Sequence, residues 1–497
     1  MESGFSDRTL EGSGTISDPF LVRFPPGDAR NPINFSLVKK WTITSIVTMS
    51  VFCVAMTSSA YSGSSNLTKQ EFNLSYEVNA LGVSLFVLGF AIGPCVWAPL
   101  SELYGRQILF IATYGVLTAC VAGSAAADSA ATLLVLRFLG GMFGASPLTN
   151  AGGVVADLFP PSHRGLGMAI FCTAPFLGPV LGPLVAGFIS MSLGWRWVQG
   201  VMAIFCGVIW IVGSLSLPET YAPVLLQRRA RHLSRTTSKI YISILQKDHG
   251  KTKASTIFTR TVQRPWVLLF AEPIVLVSST YMAILYGTLY MMFGAFPIIF
   301  QEQRGWSAGT GGLAFIGVAV GMLLGLGCSI LDNKRYQNLQ KGKYQGAHPP
   351  PEVRLPPAII GALALPVGLF SFAWTSLPSL HWSISIITAA PFGFGMVLVF
   401  LPIMNYLIDA YTVYAASVLA ASAMLRAFFG AAFPLFTRKM YTNLGVQWAT
   451  SIPAFLSIIC LPFPLLMYKY GERVRIHCKY AKEAAFIKAR LDEDNQS

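Results

Sequence analysis

The residues of this sequence that could do chemistry are a few charged side chains set within or beside long apolar stretches. Arg137 and Arg426 interrupt two such stretches, and Glu272 lies six residues into a third. A charged side chain at the centre of a membrane span costs about 3 kcal/mol, so each of the three requires a reason. Glu272 could bind and release a proton there, or it could pair with Arg264 or a neighbouring basic loop at a helix end.

The two embedded arginines each have two interpretations. Arg137 could contact a substrate or influence the protonation of a nearby acid. It could instead tie its helix to backbone carbonyls of the first apolar stretch. Arg426 could act in transport in the same way, or it could join two helices.

Further charged residues lie near the ends of the apolar stretches. Glu102 and Arg106 stand four residues apart, a spacing at which they can pair with each other or with a neighbouring helix end. Asp157 and Asp409 are two more acids that could carry a proton. The eight cysteines and six histidines form no pattern of metal ligands, so we expect no metal, no cofactor and no catalytic residue.

Twelve apolar stretches must position these residues. Each is long enough to cross a bilayer core about 30 Å thick, which takes roughly 20 residues. The 497-residue chain is 53% hydrophobic and only 12% charged, about half the usual charge of a soluble protein. Helices satisfy their own backbone polar groups in lipid, which predicts an all-α membrane protein. The predicted spans are Trp41–Tyr61, Val78–Ala98, Ile108–Ala127, Leu133–Val155, Leu166–Met191, Trp197–Leu217, Trp266–Phe293, Ser307–Leu331, Pro356–Ser376, Trp382–Asn405, Tyr414–Thr437 and Val446–Tyr468.

The positive charges predict the orientation of these spans. The net charge of +14 comes from 36 lysines and arginines, most of which fall on the side that carries both termini. That asymmetry places both termini in the cytosol and argues against nucleic acid as a partner. Two glycosylation sequons, at Asn66 and Asn73, lie in the first outward loop. Five basic residues lie on the outward side: Lys69, Arg196, Arg304, Arg438 and Lys439.

A basic segment at the midpoint divides the spans six and six. We expect a flexible cytosolic tail over 1–40, a first half over 41–217, a cytosolic linker over 218–265, a second half over 266–468 and a cytosolic tail over 469–497. Two similar halves are typical of secondary transporters, which bind substrate at the interface of the halves.

Aromatic and small polar side chains in the spans predict a large, mostly apolar cavity. Few fixed charges there favour amphipathic organic molecules over phosphates or sugars. Any one of these residues could instead pack between helices. The predicted cavity residues are Ser58, Ser59, Tyr61, Asn150, Tyr281, Tyr286, Tyr290, Asn405 and Tyr406.

The loop between the second and third spans carries a family resemblance. It reads Pro99-Leu100-Ser101-Glu102-x-x-Gly105-Arg106, which resembles the hallmark G-x-L-[SD]-[DE]-x-x-G-R of the major facilitator superfamily. The form is similar to the twelve-spanner drug–proton antiporter branch, particularly its fungal members. The resemblance implies a latch in which Glu102 and Arg106 pair with an acid at the end of span four, the position of Asp157, and favour the outward-open state.

Other segments extend the resemblance over about Asn31 to Arg475. Arg137 followed by a glycine-rich face resembles the family's second motif, which implies a part for Arg137 in proton coupling. In span five Gly178, Pro179, Gly182, Pro183 and Gly187 resemble the antiporter motif, and proline and glycine there would let the helix bend. The remaining similar segments are Leu217–Leu226, Arg354–Pro357 and Tyr414–Arg426.

These features predict an efflux carrier rather than an enzyme. It would export hydrophobic or amphipathic compounds, such as drugs or a secondary metabolite, and take protons in as its two halves alternate access. A facilitator, a polyamine exporter and an organic-acid exporter of the same fold stay open. A multi-spanning membrane enzyme would need clustered catalytic residues, and a nutrient receptor would have a longer tail. We expect a monomer in the plasma membrane, with the vacuolar membrane as the alternative.

Overall fold

The computed structural model describes residues 12–16, 18–25, 27–160, 164–237, 239–244, 254–345 and 349–494. The chain forms a bundle of membrane-spanning helices, and the predicted fold class is confirmed. The spans, numbered one to twelve, are Leu37–Ala60, Tyr76–Tyr104, Arg106–Ala125, Ala130–Leu158, Arg164–Leu193, Trp195–Ser216, Pro273–Phe296, Ala308–Leu313 with Phe315–Lys341, Pro356–Thr375, Trp382–Thr388 with Ala390–Tyr411, and the two parts of Ala415–Cys460.

Spans eleven and twelve are two helices that follow each other without a loop within Ala415–Cys460. A single straight helix of these 46 residues would be about 69 Å long, more than twice the thickness of a bilayer core. Gly445 divides it, because its φ of 74° and ψ of 167° are not helical. The helix Pro462–His477 then extends span twelve. In the part of the chain that the structure describes, ten segments are long and apolar enough to cross a membrane, and the last, Trp382–His477, holds spans ten, eleven and twelve.

The predicted start of span seven at Trp266 is wrong. Trp266 belongs to the preceding helix, Ala254–Ala271, and span seven begins at Pro273. A proline disfavours helical geometry in the residue before it, and Glu272 is extended, with φ −113° and ψ 103°. Glu272 therefore lies between two helices, at the end of the span and not within it.

The two halves repeat the same packing. Spans one and five, two and four, and three and six are neighbours in the first half, and spans seven and eleven, eight and ten, and nine and twelve are their counterparts. Glycines let backbones touch: a Cβ on Gly141 would lie 1.9 Å from the Phe86 carbonyl, and one on Gly321 would lie 1.9 Å from that of Ala390. The halves meet where span two packs on eleven and span five packs on eight.

The segments outside the spans are more ordered than the sequence suggests. The expected flexible tail contains a strand, Phe20–Val22, which pairs in parallel with Tyr241–Ser243 of the central linker. The linker also contains the helix Ala222–Thr237, and the C-terminal tail forms the helix Lys479–Asp494. These segments lie on one side of the bundle, which we call the terminal face. The opposite side is the outer face.

Candidate functional site

The turn between spans two and three is built around one glycine and one acid. Gly105 has a φ of 100°, a conformation that favours glycine. A Cβ there would lie 1.9 Å from Oε2 of Glu219, so the carboxylate occupies the space of the missing side chain. Its Oε1 accepts hydrogen bonds from the backbone amides of Arg106 (2.9 Å), Thr220 (3.0 Å) and Tyr221 (3.0 Å). Glu219 thus supplies an acceptor and a negative charge at the first residue of span three.

Arg106 brings together polar groups from three spans. Its Nη1 donates to Ser101 Oγ in span two (2.5 Å) and to Asn150 Oδ1 in span four (3.1 Å). Its Nε lies 3.7 Å from Asp157 Oδ2, and both side chains are largely buried. We call these four residues and Glu219 the N-half cluster. The cluster joins the terminal-face ends of spans two, three, four and six.

Of the charged residues in the N-half cluster, the sequence indicated Arg106 and Asp157 but not Glu219. Arg106 pairs with Asp157 rather than with Glu102, which is exposed and makes no ion pair within the described part of the chain. The sequence indicates Glu219 only as part of the segment Leu217–Leu226, which resembles the family. Its signal was indirect: span three has Gly105 as its N-cap, so an acceptor for its first amide must come from elsewhere.

The second half carries a matching arrangement on the same face. Arg354 Nε donates to Asp409 Oδ2 (3.1 Å), and its guanidinium stands 3.4 Å from the centre of the Tyr336 ring. Glu352 accepts two hydrogen bonds from Arg475, of 2.9 Å and 3.1 Å, in bidentate geometry. We call Arg354, Asp409, Glu352 and Arg475 the C-half cluster. It joins the start of span nine to the ends of spans ten and twelve.

Arg137 donates hydrogen bonds to three backbone carbonyls and lies over the ring of Phe86, 4.4 Å from its centre. Its side chain is 1% exposed, and it donates to the carbonyls of Gly82 (2.8 Å), Thr57 (2.9 Å) and Ser58 (2.7 Å). Span one changes from an α-helix to a 3-10 turn after Ala60, which leaves carbonyls of its last turn available to other donors. This geometry matches the helix tie to span one, extended to span two, and Arg137 has no acid as a partner among the described residues.

Glu272 is fully buried and bonded to neutral donors. Tyr411 Oη donates to its Oε2 (2.8 Å), and the backbone amide of Tyr480 donates to its Oε1 (2.8 Å). The predicted pairing with Arg264 does not form in the described structure, where the Arg264 guanidinium lies over the ring of Tyr414. Glu272 therefore caps the C-terminal tail helix at the terminal face.

Span five is continuous through its prolines and packs closely on span one. Pro183 has no N–H, so it leaves the carbonyl of Pro179 without its helical donor, and Ser59 Oγ donates to that carbonyl instead (2.7 Å). Gly178 and Gly182 face span one, where added Cβ atoms would lie 2.7 Å from the Phe52 carbonyl and 2.1 Å from Ser59 Oγ, respectively.

Gly187 belongs to the same motif and faces span eight of the other half. A Cβ there would lie 2.4 Å from the carbonyl of Ala308. The motif thus contributes to the contact of span five with span one, within the first half, and to its contact with span eight, between the halves.

Three of the predicted cavity residues meet between the halves. The Ser58 and Tyr290 hydroxyls are 2.7 Å apart, and Tyr286 Oη donates to Tyr290 Oη (3.4 Å). We call Ser58, Tyr286 and Tyr290 the tyrosine junction, which joins spans one and seven. Tyr61 lies beside it and donates to Asn79 Oδ1 (2.8 Å).

A cavity of about 90 Å³ opens beside the junction towards the outer face. It lies between the halves, and Asn66 stands at its edge, where Nδ2 donates to Gln301 Oε1 (3.3 Å). The Asn66 sequon lies in a helix with its Thr68 buried, whereas Asn73 is exposed with a φ of 50°. Lining residues include Tyr61, Tyr76, Tyr290, Phe293, Glu302 and Arg438.

The other predicted cavity residues lie elsewhere. Asn150 belongs to the N-half cluster. Tyr281 is fully buried near Cys460 of span twelve, within its own half. Tyr406 lies near Glu352 and Arg475 of the C-half cluster, and Asn405 is half-buried near the same end of span ten. Arg426 lies over the ring of Phe400, 5.0 Å from its centre.

Comparison with known proteins agrees with this architecture. Residues 47–434 match the family model of the Major Facilitator Superfamily. The chain is 60% identical to the MFS-type efflux pump MFS2 of Trichophyton rubrum over 98% of this chain and 81% of that protein. It is 59% identical to the major facilitator-type transporter sorT of Penicillium rubens over 96% of this chain and 91% of that protein.

A solved structure of the proton:xylose symporter XylE has a similar fold. The TM-score is 0.61 at 17% identity, with 88% of this chain and 96% of XylE covered. At that identity the likeness concerns the fold alone.

Proposed function

This chain belongs to the Major Facilitator Superfamily, and we propose that it exports hydrophobic or amphipathic small organic molecules in exchange for protons. The observation that carries the proposal is its 60% identity, over 98% of its length, to a protein named an efflux pump. The exported compound would be a drug or a secondary metabolite. Export would proceed by alternating access between the two six-helix halves.

The contacts between the halves support alternating access. Spans two and eleven, and five and eight, form the only extensive helix pairs between the halves in the described structure, and the tyrosine junction adds a polar contact between spans one and seven. Glycine contacts such as Gly312 against Leu184 have little side-chain interlocking, so the halves can tilt against each other. Aromatic rings and neutral hydroxyls at the interface suit apolar or amphipathic compounds.

The two ion-pair clusters support a role for the terminal face as a gate. Each cluster ties the ends of several spans within one half, so each half moves as a unit. We assign the N-half cluster as the latch that favours the outward-open state. Its ion pair between Arg106 and Asp157 is largely buried, which makes it stronger than an exposed pair.

Asp157 is our proposed carrier of the coupling proton. Its side chain is 20% exposed, so water reaches it, and protonation would weaken its pairing with Arg106. Glu272 is a poorer carrier, because it is fully buried and both of its oxygens accept hydrogen bonds. In this scheme the protonation of one acid releases the terminal face.

The folded termini support a cytosolic terminal face. The strand Phe20–Val22 pairs with the linker after span six, and Tyr480 bonds to Glu272 at the start of span seven. Both termini and the linker are therefore on one side, the side with most of the basic residues. We propose a monomer in the plasma membrane.

The test compares two matched acids in purified, reconstituted protein. Proteoliposomes are loaded with an amphipathic fluorescent dye, and its transport is measured with and without an imposed pH gradient. In Asp157→Asn the pH gradient should no longer drive net transport of the dye, while exchange of dye across the membrane continues. Asp409→Asn, in the C-half cluster, should keep gradient-driven transport. Equal coupling in both variants would overturn the assignment of Asp157, and no dye movement by the unaltered chain would overturn export of this class of compound.

A further inference from the structure

Arg426 lies near the middle of span eleven and faces the other half. It is eleven residues after Ala415, the first residue of the span, hence about 16 Å from the start of a helix that must cross a core about 30 Å thick. Gly430, one turn later on the same face, is close to Tyr286 and to Val87 of span two, since its Cβ would lie 3.0 Å and 3.1 Å from them.

The lipid side of span eleven confirms this orientation. Phe428 is 37% exposed. It stands two residues from Arg426, which is about 200° around the helix at 3.6 residues per turn. Arg426 therefore points into the bundle.

The guanidinium of Arg426 has no hydrogen-bond acceptor among the residues that the structure describes. The guanidinium lies over the ring of Phe400, 5.0 Å from its centre. Arg137 differs, because three of its N–H groups donate to backbone carbonyls. An arginine has five N–H donors, and a charge in a low-dielectric interior is expensive unless it is paired. The Arg426 side chain is half-buried, and no described residue accepts a hydrogen bond from it, so its donors can bind an acceptor on a bound molecule.

The surroundings of Arg426 are aromatic. The ionisable groups near it in the described part of the chain are Tyr286 of span seven and Cys172 of span five, and no carboxylate is among them. The Phe400 ring packs against that of Phe176 in span five, tilted by 59° with ring centres 4.5 Å apart, so an aromatic contact between the halves lies beside the guanidinium. The region combines one positive charge with flat apolar surfaces.

We propose that Arg426 binds an anionic group of the exported compound, so that the preferred substrates are amphipathic monocarboxylic acids with a flat apolar body. This inference rests on the proposed export function and names its substrate class. A guanidinium presents two parallel N–H donors that match a carboxylate. One fixed charge balances a monoanion, whereas a phosphate dianion would leave a second charge unpaired in a low-dielectric site.

The test uses a pair of probes that differ only in charge. Binding of 2-naphthoate and of its neutral amide, 2-naphthamide, to the full purified chain is measured by titration calorimetry in detergent. Export of both probes is measured in parallel in proteoliposomes. The variants are Arg426→Gln, Arg426→Lys and, as a control for the loss of one positive charge, Arg473→Gln at an exposed position of the terminal face.

The proposal predicts that the unaltered chain binds naphthoate more tightly than naphthamide. Arg426→Gln should weaken naphthoate binding about tenfold or more, since a hydrogen bond to a charged group is lost. Naphthamide binding should change less than twofold. Arg426→Lys should retain part of the preference for the acid, and Arg473→Gln should retain all of it. If Arg426→Gln does not fold, Arg426→Met serves in its place. The preference of the unaltered chain for naphthoate over naphthamide can be measured without any variant.

Three results would overturn the proposal: equal binding of the two probes to the unaltered chain, no binding of naphthoate, or an equal loss of both probes in Arg426→Gln. The transport measurement separates this inference from the proposed function. If naphthoate binds through Arg426 but is not exported, the result supports anion binding by Arg426 and contradicts the proposed export function. If both probes are exported without preference for the acid, the result supports export and contradicts anion binding by Arg426.

Discussion

Replacement of Glu219 tests whether this acid holds the N-half cluster together. Glu219→Gln keeps one accepting oxygen but removes the charge that three backbone amides share. Hydrogen bonds to charged groups contribute about 1 kcal/mol more than neutral ones. The ion pair with Arg228 adds little, because it is 3.6 Å long and Arg228 is partly exposed. We expect a loss of about 2 to 3 kcal/mol in the free energy of unfolding.

Gly105→Ala should act through the same acid. The added Cβ would stand 1.9 Å from Glu219 Oε2 and would displace the carboxylate. The positive φ adds about 1 to 3 kcal/mol of backbone strain. The double variant should therefore be more stable than the sum of the two single changes predicts, by about 2 kcal/mol, because the same hydrogen bonds are lost in both.

The assay is the unfolding of the purified chain in detergent, with dye efflux measured on the same preparations. Efflux should fall in both single variants, because the ends of spans two, three and six are no longer joined. Glu102→Gln is the matched control in the same turn, and it should change stability by less than about 0.5 kcal/mol. A loss below 0.5 kcal/mol for Glu219→Gln, or strict additivity with Gly105→Ala, would refute this role of Glu219.

Three further predictions concern other parts of the chain. Ser59→Ala should lower stability by about 1 to 3 kcal/mol, seen in thermal unfolding, because the Pro179 carbonyl loses its donor; an unchanged midpoint would contradict this. Arg137→Lys should sharply reduce the yield of folded protein, measured by size-exclusion chromatography. A lysine ammonium lacks the planar array of donors with which the guanidinium bonds to three carbonyls at once. A normal yield would show that these hydrogen bonds are dispensable. Burial, and then the nearby Glu272 carboxylate, raises the pKa of Cys478 to about 11. Maleimide labelling of that thiol should therefore be slow at pH 8 and should accelerate as the pH rises towards 11. Rapid labelling at pH 8 would contradict the burial of Cys478.

Hydrophobic length predicted the spans because lipid imposes it on every crossing segment. The same measure misplaced the start of span seven, since Trp266 and its neighbours are apolar whether they cross the membrane or lie beside it. The break at Pro273 was a local signal that the length criterion ignored. The helical reversal at Gly445, by contrast, agrees with the predicted gap between the last two spans.

The site was less predictable, because its partners are distant in the sequence. The spacing of Glu102 and Arg106 left open a local pair or a pair with a neighbouring helix end, and only the family resemblance indicated Asp157. The fold brings Asp157 and Glu219 to Arg106. Among the tyrosines, composition could not separate Tyr290, at the junction of the halves, from Tyr281, which packs within one half. Such differences depend on how each helix is rotated about its own axis within the bundle. Helix–helix packing determines that rotation, and sequence periodicity cannot predict it where every face of a helix is apolar.

Simultaneous measurement of proton and substrate movement tests the central proposal most directly. Proteoliposomes containing the unaltered chain and a pH-sensitive dye in the lumen receive an outward gradient of an exported compound, with no initial pH difference. The account predicts that protons move opposite to the compound, at a rate that tracks its flux and disappears with Asp157→Asn. Compound flux that leaves the lumenal pH unchanged, or protons that move in the same direction as the compound, would contradict it.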